Sequence, residues 1–358
     1  MPAVLDLRDG EHNGLEKAAG QLLEPPPTDF ESKRPMATLQ RNAQKLIYYA
    51  RNAMRDIAPP VLFRRRLGRL LDQARLSDAS VRQRLNYYNT LREPFSPSPE
   101  AVPVSRLPSD RSMYYYDLKE FTRYFDPDLR IDLEFGDVIE VPKMPSIVKD
   151  RPIAGDNSNG VLFKLNKFRH FYMPADDVAF ADKHPLVVWR GELNNPIRTL
   201  LLDAARNLPF CDVGTPRATA PAEYRKPYLS IDQQRRYRYI ISLEGNDVAT
   251  NLKWIMSSNS LCLMPPPTYE TWFAEGQLEP DVHYVPLAPD FSDLAERVHH
   301  LEKHPAEAQR IVAAANAYCR NFADERAEQA ICLLVLYKYF VLSGQIEPDP
   351  QVWRFIAG

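Results

Sequence analysis

The 358-residue sequence has no Gly-x-Gly-x-x-Gly, no P-loop and no Gly-x-Ser-x-Gly. The first two cradle phosphates on backbone N–H groups and the third presents a nucleophilic serine, so their absence argues against a nucleotide-dependent kinase or a dehydrogenase. His-x-His is also missing. The adjacent His299 and His300 lie on a predicted helix and point to different faces, so no zinc site is indicated. A single Asp-x-Asp occurs, Asp126-Pro127-Asp128, and in "FDPDLR" the proline makes it read as a turn rather than a metal-holding pair. No metal and no cofactor are expected. The four cysteines, Cys211, Cys262, Cys319 and Cys332, are widely spaced in apolar contexts and read as reduced core residues. No apolar run reaches membrane-spanning length. The opening "MPAVLDLRDGEHNG" lacks the basic and apolar regions of a secretory signal, and the sequence predicts a cytoplasmic chain.

What is present is a globular composition, 44% hydrophobic and 26% charged, at a length that suits two ordinary domains or one large one. The net charge of −2 offers no global field for nucleic acid, and no nucleic-acid module is recognised. Charge is nevertheless uneven. Between Lys33 and Arg92 fourteen Lys or Arg face only Asp56, Asp72 and Asp78. Residues 1 to about 35 read as a loosely held lead-in. "ATLQRNAQKLIYYARNAMR", "VLFRRRLGRLLDQARL" and "VRQRLNYYNTL" then have apolar residues at helical spacing with basic residues between, the pattern of amphipathic basic helices. The prolines from Pro94 to Pro108 mark a linker or extended crossing.

Beyond the prolines the texture becomes α/β. "RIDLEFGDVIEV", "LVVWRG", "YRYIISLEG", "LCLMPP" and "VHYVPLA" read as strands. "PIRTLLLDAARNL", "TNLKWIMSSNS" and "LAERVHHLEKHPAEAQRIVAAANAYCRNF" read as helices between several of them. Such alternation predicts a parallel sheet whose ligands sit at strand carboxyl ends. Two junctions occupy that position. In "SLEGNDVATNLKWIM", Gly245 allows a tight turn, Asn246 and Asp247 can bond backbone or ligand hydroxyls, Thr250 or Asn251 can cap the helix, and Lys253 adds a positive charge. In "LVVWRGELNNPIR", Arg190 can grip phosphate through its planar fork and Gly191 allows close approach. A third polar cluster, "SIVKDRPIAGDNSNGVLFKLNKFRHF", holds Lys149, Asp150, Arg151, Asp156, Asn157, Asn159, Lys164, Lys167, Arg169 and His170. An ordinary capped turn, a strand-end ion pair and a solvated loop are the respective alternatives.

In order along the chain, "KDRPIAGDNSN", "KFRHF", "WRGELNNPIR", "YRYIISLEGNDVATNLKWIMSSNSLCLMPPPTYETWF" and "DVHYVPLAPDFSDL" resemble glycosyltransferase family 90 over roughly residues 110 to 340. Within it they look like the bacterial branch that adds a hexose to the inner core of lipopolysaccharide. The resemblance implies a GT-B fold, two Rossmann-like domains facing across a cleft, and an inverting, metal-independent transfer from a UDP-sugar. Residues 1–100 would form the lead-in and basic helices, 101–182 an acceptor-side domain completed by a C-terminal helix over 335–358, and 183–334 the donor domain.

By the same resemblance Arg190 and Lys253 would lie near the diphosphate. Glu244, Gly245, Asn246 and Asp247 would lie near the sugar or phosphates, with Ser257, Ser258 and Asn259 on the pocket side and Glu270 at the ribose hydroxyls. Eukaryotic members often carry an arginine where this chain has Asn251, so that phosphate contact must come from elsewhere here. Arg151, Asn157, Asn159, Lys164, Arg169 and His170 would face the acceptor or phosphates. The base that takes the acceptor proton is expected from the N-terminal half, Asp156 first and Asp150 second. The implied partners are a UDP-sugar and a lipid-linked core oligosaccharide. The basic helices add a peripheral contact with the anionic inner face of the inner membrane, with packing on the catalytic domains as the alternative. A non-catalytic sugar- or nucleotide-binding protein on the same fold is the competing reading.

Overall fold

The computed structural model describes residues 34–72 and 78–358, so nearly all of the expected lead-in lies outside the described residues. The basic region forms α1 (Arg34–Ile57) and, after two short turns of helix, α2 (Ala79–Tyr88), whose N-cap Asp78 accepts from the Ser80 N–H at 2.9 Å. Over residues 43–57 the apolar face of α1 does not pack inward. Leu46, Ile47, Met54 and Ile57 are all exposed, Ile57 to 85%, and Val61 and Leu62 just beyond continue the exposed apolar surface. The helix is held instead through Tyr48, whose hydroxyl donates to the buried Asp117 at 2.7 Å.

The proline-rich stretch leads through β1 (Val102–Pro103), which pairs antiparallel with β2 (Arg130–Ile131) across α3 (Ser112–Thr122). The strand expected from "RIDLEFGDVIEV" breaks up: only β2 and β3 (Leu133–Glu134) form. β3 pairs parallel with β4 (Ser146–Val148). After β5 (Asp150–Pro152) has left the sheet, β6 (Gly160–Leu162) pairs parallel with β4 on its other side.

A five-stranded sheet follows. In chain order it contains β7 (His184–Arg190), β8 (Cys211–Gly214), β9 (Tyr237–Ile241), β10 (Leu261–Met264) and, after β11 (Tyr269–Thr271), β12 (Val285–Pro286). All five are parallel in the order β12-β10-β9-β7-β8. The sequence reading missed β8, a four-residue edge strand. Chain order reverses between β7 and β9, which opens a crevice at their carboxyl ends. β11 joins β5, not the main sheet, and pairs Thr271 with Asp150 and Glu270 with Arg151.

The connecting helices are α4 (Pro196–Ala205), capped by Asn195 with proline in its first turn, and α5 (Leu252–Met256). The single helix expected after "LAERVHH" splits at His304 into α6 (Leu294–Lys303) and α7 (Pro305–Arg320), because Pro305 lacks the N–H that would continue the hydrogen-bond ladder. α8 (Glu325–Leu342) is buried almost all round from Ala330 to Phe340, as a helix apolar on every face must be. It shares one core with α2, α3 and the strands β4 and β6. Gly344, at φ +70°, ends that helix before α9 (Pro350–Ala357), so the expected continuous helix over 335–358 is two. A second apolar cluster, with Leu201, Leu202, Val298 and Ile311, covers the opposite face of the five-stranded sheet.

Candidate active site

The two parallel sheets meet at a buried charge cluster. Lys149 is 3% exposed and sits between β4 and β5, with its ammonium 2.9 Å from Asp137, 3.6 Å from Asp150 and in direct contact with Asp247 from the β9–α5 loop. The Asp247 carboxyl lies near enough to Asp150 to act on its charge. Asp150 is fully buried beside that ammonium and a second carboxyl and cannot ionise cheaply there, whereas Asp137 is exposed and Lys149 holds its pKa below the usual carboxylate range. Burial first, with Asp247 adding to it and Lys149 opposing it, pushes the Asp150 carboxyl up to about 8. One Asp150 oxygen accepts from the Val138 N–H at 3.3 Å, and the other, Oδ2, is buried with no partner.

Further unpartnered polar atoms surround this group. Both ring nitrogens of His170 are buried without a partner, and burial, then the charges of Lys253, Lys149 and Arg169, hold its pKa well below the usual histidine range. His170 is therefore a neutral imidazole. Asn166, in the left-handed region at φ 52°, has a buried, unpartnered Oδ1. Buried polar atoms in folded proteins nearly always find partners. Their concentration around Asp150 marks a place built to receive polar groups from elsewhere. Asn246 reaches Asp137 at 3.4 Å, and Arg169 is exposed on the same side.

Beside the cluster a cleft of about 300 Å³ lies at the carboxyl ends of β9 and β10, walled by Ser242, Leu252, Pro265, Pro267 and Glu275 among others. Glu244 lines it and also shapes it: its carboxylate accepts from the backbone N–H groups of Thr268 and Tyr269 at 2.9 and 3.1 Å and from the Thr268 hydroxyl at 2.5 Å. Gly245 closes the turn, accepting from Asn195 at 2.6 Å.

Several residues expected to touch the donor are spent on the fold. All five N–H groups of Arg190 are engaged within the protein, by Pro227 O, Trp189 O, Asp212 O and both Asp212 carboxylate oxygens, so no donor remains for a phosphate. Gly191 is small because an added Cβ would run into the Trp189 indole. Lys253 is fully buried, paired with Glu275, and its helix α5 has five residues and no side-chain cap. Asn251 bonds Ser242 and Ile241 O instead of capping. Glu270 is buried with its oxygens taken by Arg151 and Tyr87, leaving none for a ribose. Arg151 additionally donates to Gly160 O and Tyr87 O. Ser257, Ser258 and Asn259 precede β10 and so lie at the amino edge of the sheet, away from the crevice. There Ser258 bonds Ile255 O and Asn259 bonds Asp176 O and Val178 O.

On the N-terminal side, Asp156 is exposed in an Asx turn, accepting from the Ser158 N–H at 3.1 Å, and those hydrogen bonds lower its pKa. Asn157 and Asn159 brace the same loop through Pro152 O and Pro142 O, and Lys164 pairs with Glu328. In Asp126-Pro127-Asp128 the first carboxylate accepts from the Asp128 N–H at 3.0 Å.

The sequence reading passed over Arg198 and Asp137, and it placed Lys149 in a polar cluster without giving it a role. Arg198, at the start of α4, lies at the crevice between β7 and β9. It bonds only neutral groups, including Glu192 O at 3.0 Å, Asn194 Oδ1 at 2.7 Å and, at longer range, Glu244 O and Leu243 O. Its position within "WRGELNNPIR" was visible, but not that Arg190 would be consumed and Arg198 left without a carboxylate.

A parallel sheet with a cleft at its switch point, joined by buried acids to a second parallel sheet, defines an α/β protein that takes its ligand between strand carboxyl ends. The sequence profile of glycosyl transferase family 90 matches residues 166–339. The O-glucosyltransferase LpsA of Dichelobacter nodosus is 42% identical over 316 residues, covering 86% of this chain and 98% of that protein. Shorter matches are protein O-glucosyltransferase 2 of Danio rerio, 31% identical over 24% of this chain and 17% of that protein, and human protein O-glucosyltransferase 3, 30% identical over 29% and 20%. The chain belongs to glycosyl transferase family 90 and is a glycosyltransferase.

The Lys253–Glu275 pair generates a stability prediction. Replacing one member of a buried pair strands the other charge, at a cost of about 3–5 kcal/mol. Lys253→Ala is expected to lower the unfolding free energy from denaturant titration by that amount; an unchanged value would contradict a structural role for the pair.

Proposed function

We propose that the protein is an inverting hexosyltransferase that moves glucose, the sugar in the name of its relative LpsA, from UDP-glucose to a hydroxyl of a lipopolysaccharide inner-core oligosaccharide. In this reading the lobe around β4 receives the acceptor, the five-stranded sheet receives the donor in a GT-B arrangement, and no metal is needed. The observation that carries the reading is the orphaned, high-pKa Asp150 at the junction of the two sheets. A base in an inverting transfer must be close to neutral pH in its affinity for protons and must have a free lone pair. Asp150 has both, whereas Asp156 is solvated, hydrogen-bonded and weakly basic. The acceptor oxygen bonds to the anomeric carbon, its proton passes to Asp150 Oδ2, and UDP departs with the electrons of the broken bond. The neutral His170 and Asn166 suit hydrogen bonds to sugar hydroxyls. Arg198, with exposed Arg169 as a second cation, suits the diphosphate.

Asp150→Asn is expected to reduce transfer by on the order of 10²-fold or more while UDP still binds. Asp156→Asn should stay near wild type, and the opposite ranking would return the role to Asp156. Because only the ionised carboxylate can accept the proton, the wild-type rate should climb with pH, reach half its maximum near pH 8 and level off only above that. A rate already flat from pH 5 upward would remove Asp150 as the base.

Arg198→Met should weaken UDP binding about tenfold or more, the scale of a lost charge-assisted hydrogen bond. Calorimetry showing equal affinity would take Arg198 out of the donor site.

The exposed apolar stripe of α1, with Lys45 and Arg51 beside it, suits a peripheral contact with an anionic bilayer. Among the described residues no helix is long and apolar enough to cross a membrane. Sedimentation with vesicles containing phosphatidylglycerol should fall for Ile47→Glu combined with Ile57→Glu. Absence of wild-type binding at low salt would exclude the contact.

A further inference from the structure

A second cavity, of about 350 Å³, lies between α2, α8 and α9 and shares no lining residue with the cleft or the Asp150 cluster. Its walls include Asn86, Thr90, Arg92, Lys338, Trp353 and Ile356. Lys338 comes from the core helix α8 and is only 5% exposed. Its ammonium donates to Asn86 Oδ1 at 2.8 Å and to the Asn89 carbonyl at 2.7 Å, both neutral. An ammonium has three donors, so one is left over. Burial, then repulsion from Arg92, brings its pKa down to about 8, and no carboxylate among the described residues acts to raise it. The Thr90 hydroxyl is buried without a partner, and Arg92 is exposed with no ion pair among the described residues.

A buried ammonium without a counter-charge is destabilising, and the two neutral oxygens that Lys338 bonds do not neutralise it. Two cations and an idle hydroxyl converge on one cavity with no anion of the protein to satisfy them. We propose that this cavity binds a phosphate monoester on a sugar-sized body, the oxyanion held by Lys338, Arg92 and Thr90. Phosphate fits because its dianion matches two cations and its oxygens accept several charge-assisted hydrogen bonds at once. The half-buried Trp353, with Leu342 and Ile356, offers an apolar wall for the carbon skeleton. This assignment is independent of the donor and base assignments above.

The test is calorimetry and thermal unfolding of the full chain with inorganic phosphate, glucose 6-phosphate and glucose. Sodium chloride is matched for ionic strength, and UDP is kept saturating so that the donor cleft is occupied. Both phosphate compounds should bind and raise Tm, glucose 6-phosphate more tightly, while glucose and chloride should not. Arg92→Ala, at the exposed edge, and Thr90→Val, at the buried hydroxyl, should each weaken binding, Arg92→Ala about tenfold or more. Lys338→Met should abolish binding. If that variant fails to fold, the Arg92 and Thr90 variants decide. No binding by the wild type, or undiminished binding in both of those variants, overturns the site. Equal affinity for inorganic phosphate and glucose 6-phosphate overturns the sugar-sized body.

Discussion

The contact on which the rest of the site depends is the one between Lys149 and the acids around it. Asp137, Lys149 and Asp150 come from the lobe of β3, β4 and β6, and Asp247 comes from the loop after β9, so a single ammonium ties the two parallel sheets together. Burial of Asp150, with the charge of Asp247 added and that of Lys149 opposing, raises the affinity of its carboxyl for a proton. One arrangement thus fixes the relative position of two lobes and raises the basicity of a carboxylate between them. A stronger ion pair, one acid for one base, would have held the lobes equally well and left no basic oxygen.

The periphery of the site is organised by charges spent on structure. Arg190 clamps β7 to β8, Arg151 and Glu270 lock β5 to β11, and Lys253 with Glu275 fixes α5 beneath the cleft. Glu328 plays the same part on the other side, holding Arg84, Lys164 and the Trp272 indole N–H together. These pairs are buried or nearly so, where each partner is needed chiefly because the other is there. Their effect on the site is indirect. They hold the Pro265–Pro267 wall and the β5 strand rigid, so that Asp150 Oδ2 and the His170 ring stay unsatisfied instead of collapsing onto neighbours.

Much of the fold was legible in the sequence. β7, β9, β10 and β12 are runs of Val, Ile, Leu and Tyr bounded by polar junctions, and α4 begins at an Asn-Pro that caps and starts a helix. Position along the chain could also show that the β9–α5 loop stands at a strand carboxyl end. Partners were not legible. Arg190 and Arg198 lie eight residues apart in one polar segment, and nothing local reveals that Asp212, on an unpredicted edge strand, saturates the first and leaves the second. Asp156 looked the better base because its neighbours are Gly and Asn, the residues of an exposed turn. Exposure is what deprives it of basicity. Asp150 looked like a loop charge because its burial arises from β5 pairing with a strand more than a hundred residues later. Likewise the amphipathic spacing of α1 showed a helix with an apolar face, but not that the face points outward.

The same accounting constrains how the reaction's charge is handled. In the proposed transfer UDP would leave with negative charge that must be met by groups free to meet it. Of the cations near the junction, Lys149, Arg190 and Lys253 are already committed to carboxylates, and Arg151 to Glu270. Arg198 has only carbonyl and amide partners to give up, each worth less than a charged oxygen, so exchanging them for a diphosphate costs little and gains a charge-assisted bond. The proposed base would face the reverse situation. Asp150 would have to be ionised before it could take a proton, and Lys149 stands 3.6 Å away to stabilise that carboxylate. In the proposed transfer positive charge would therefore stay fixed on both sides of the sugar. Each side works through residues that the fold left partly unsatisfied, and that is why the orphaned atoms lie where the two sheets meet.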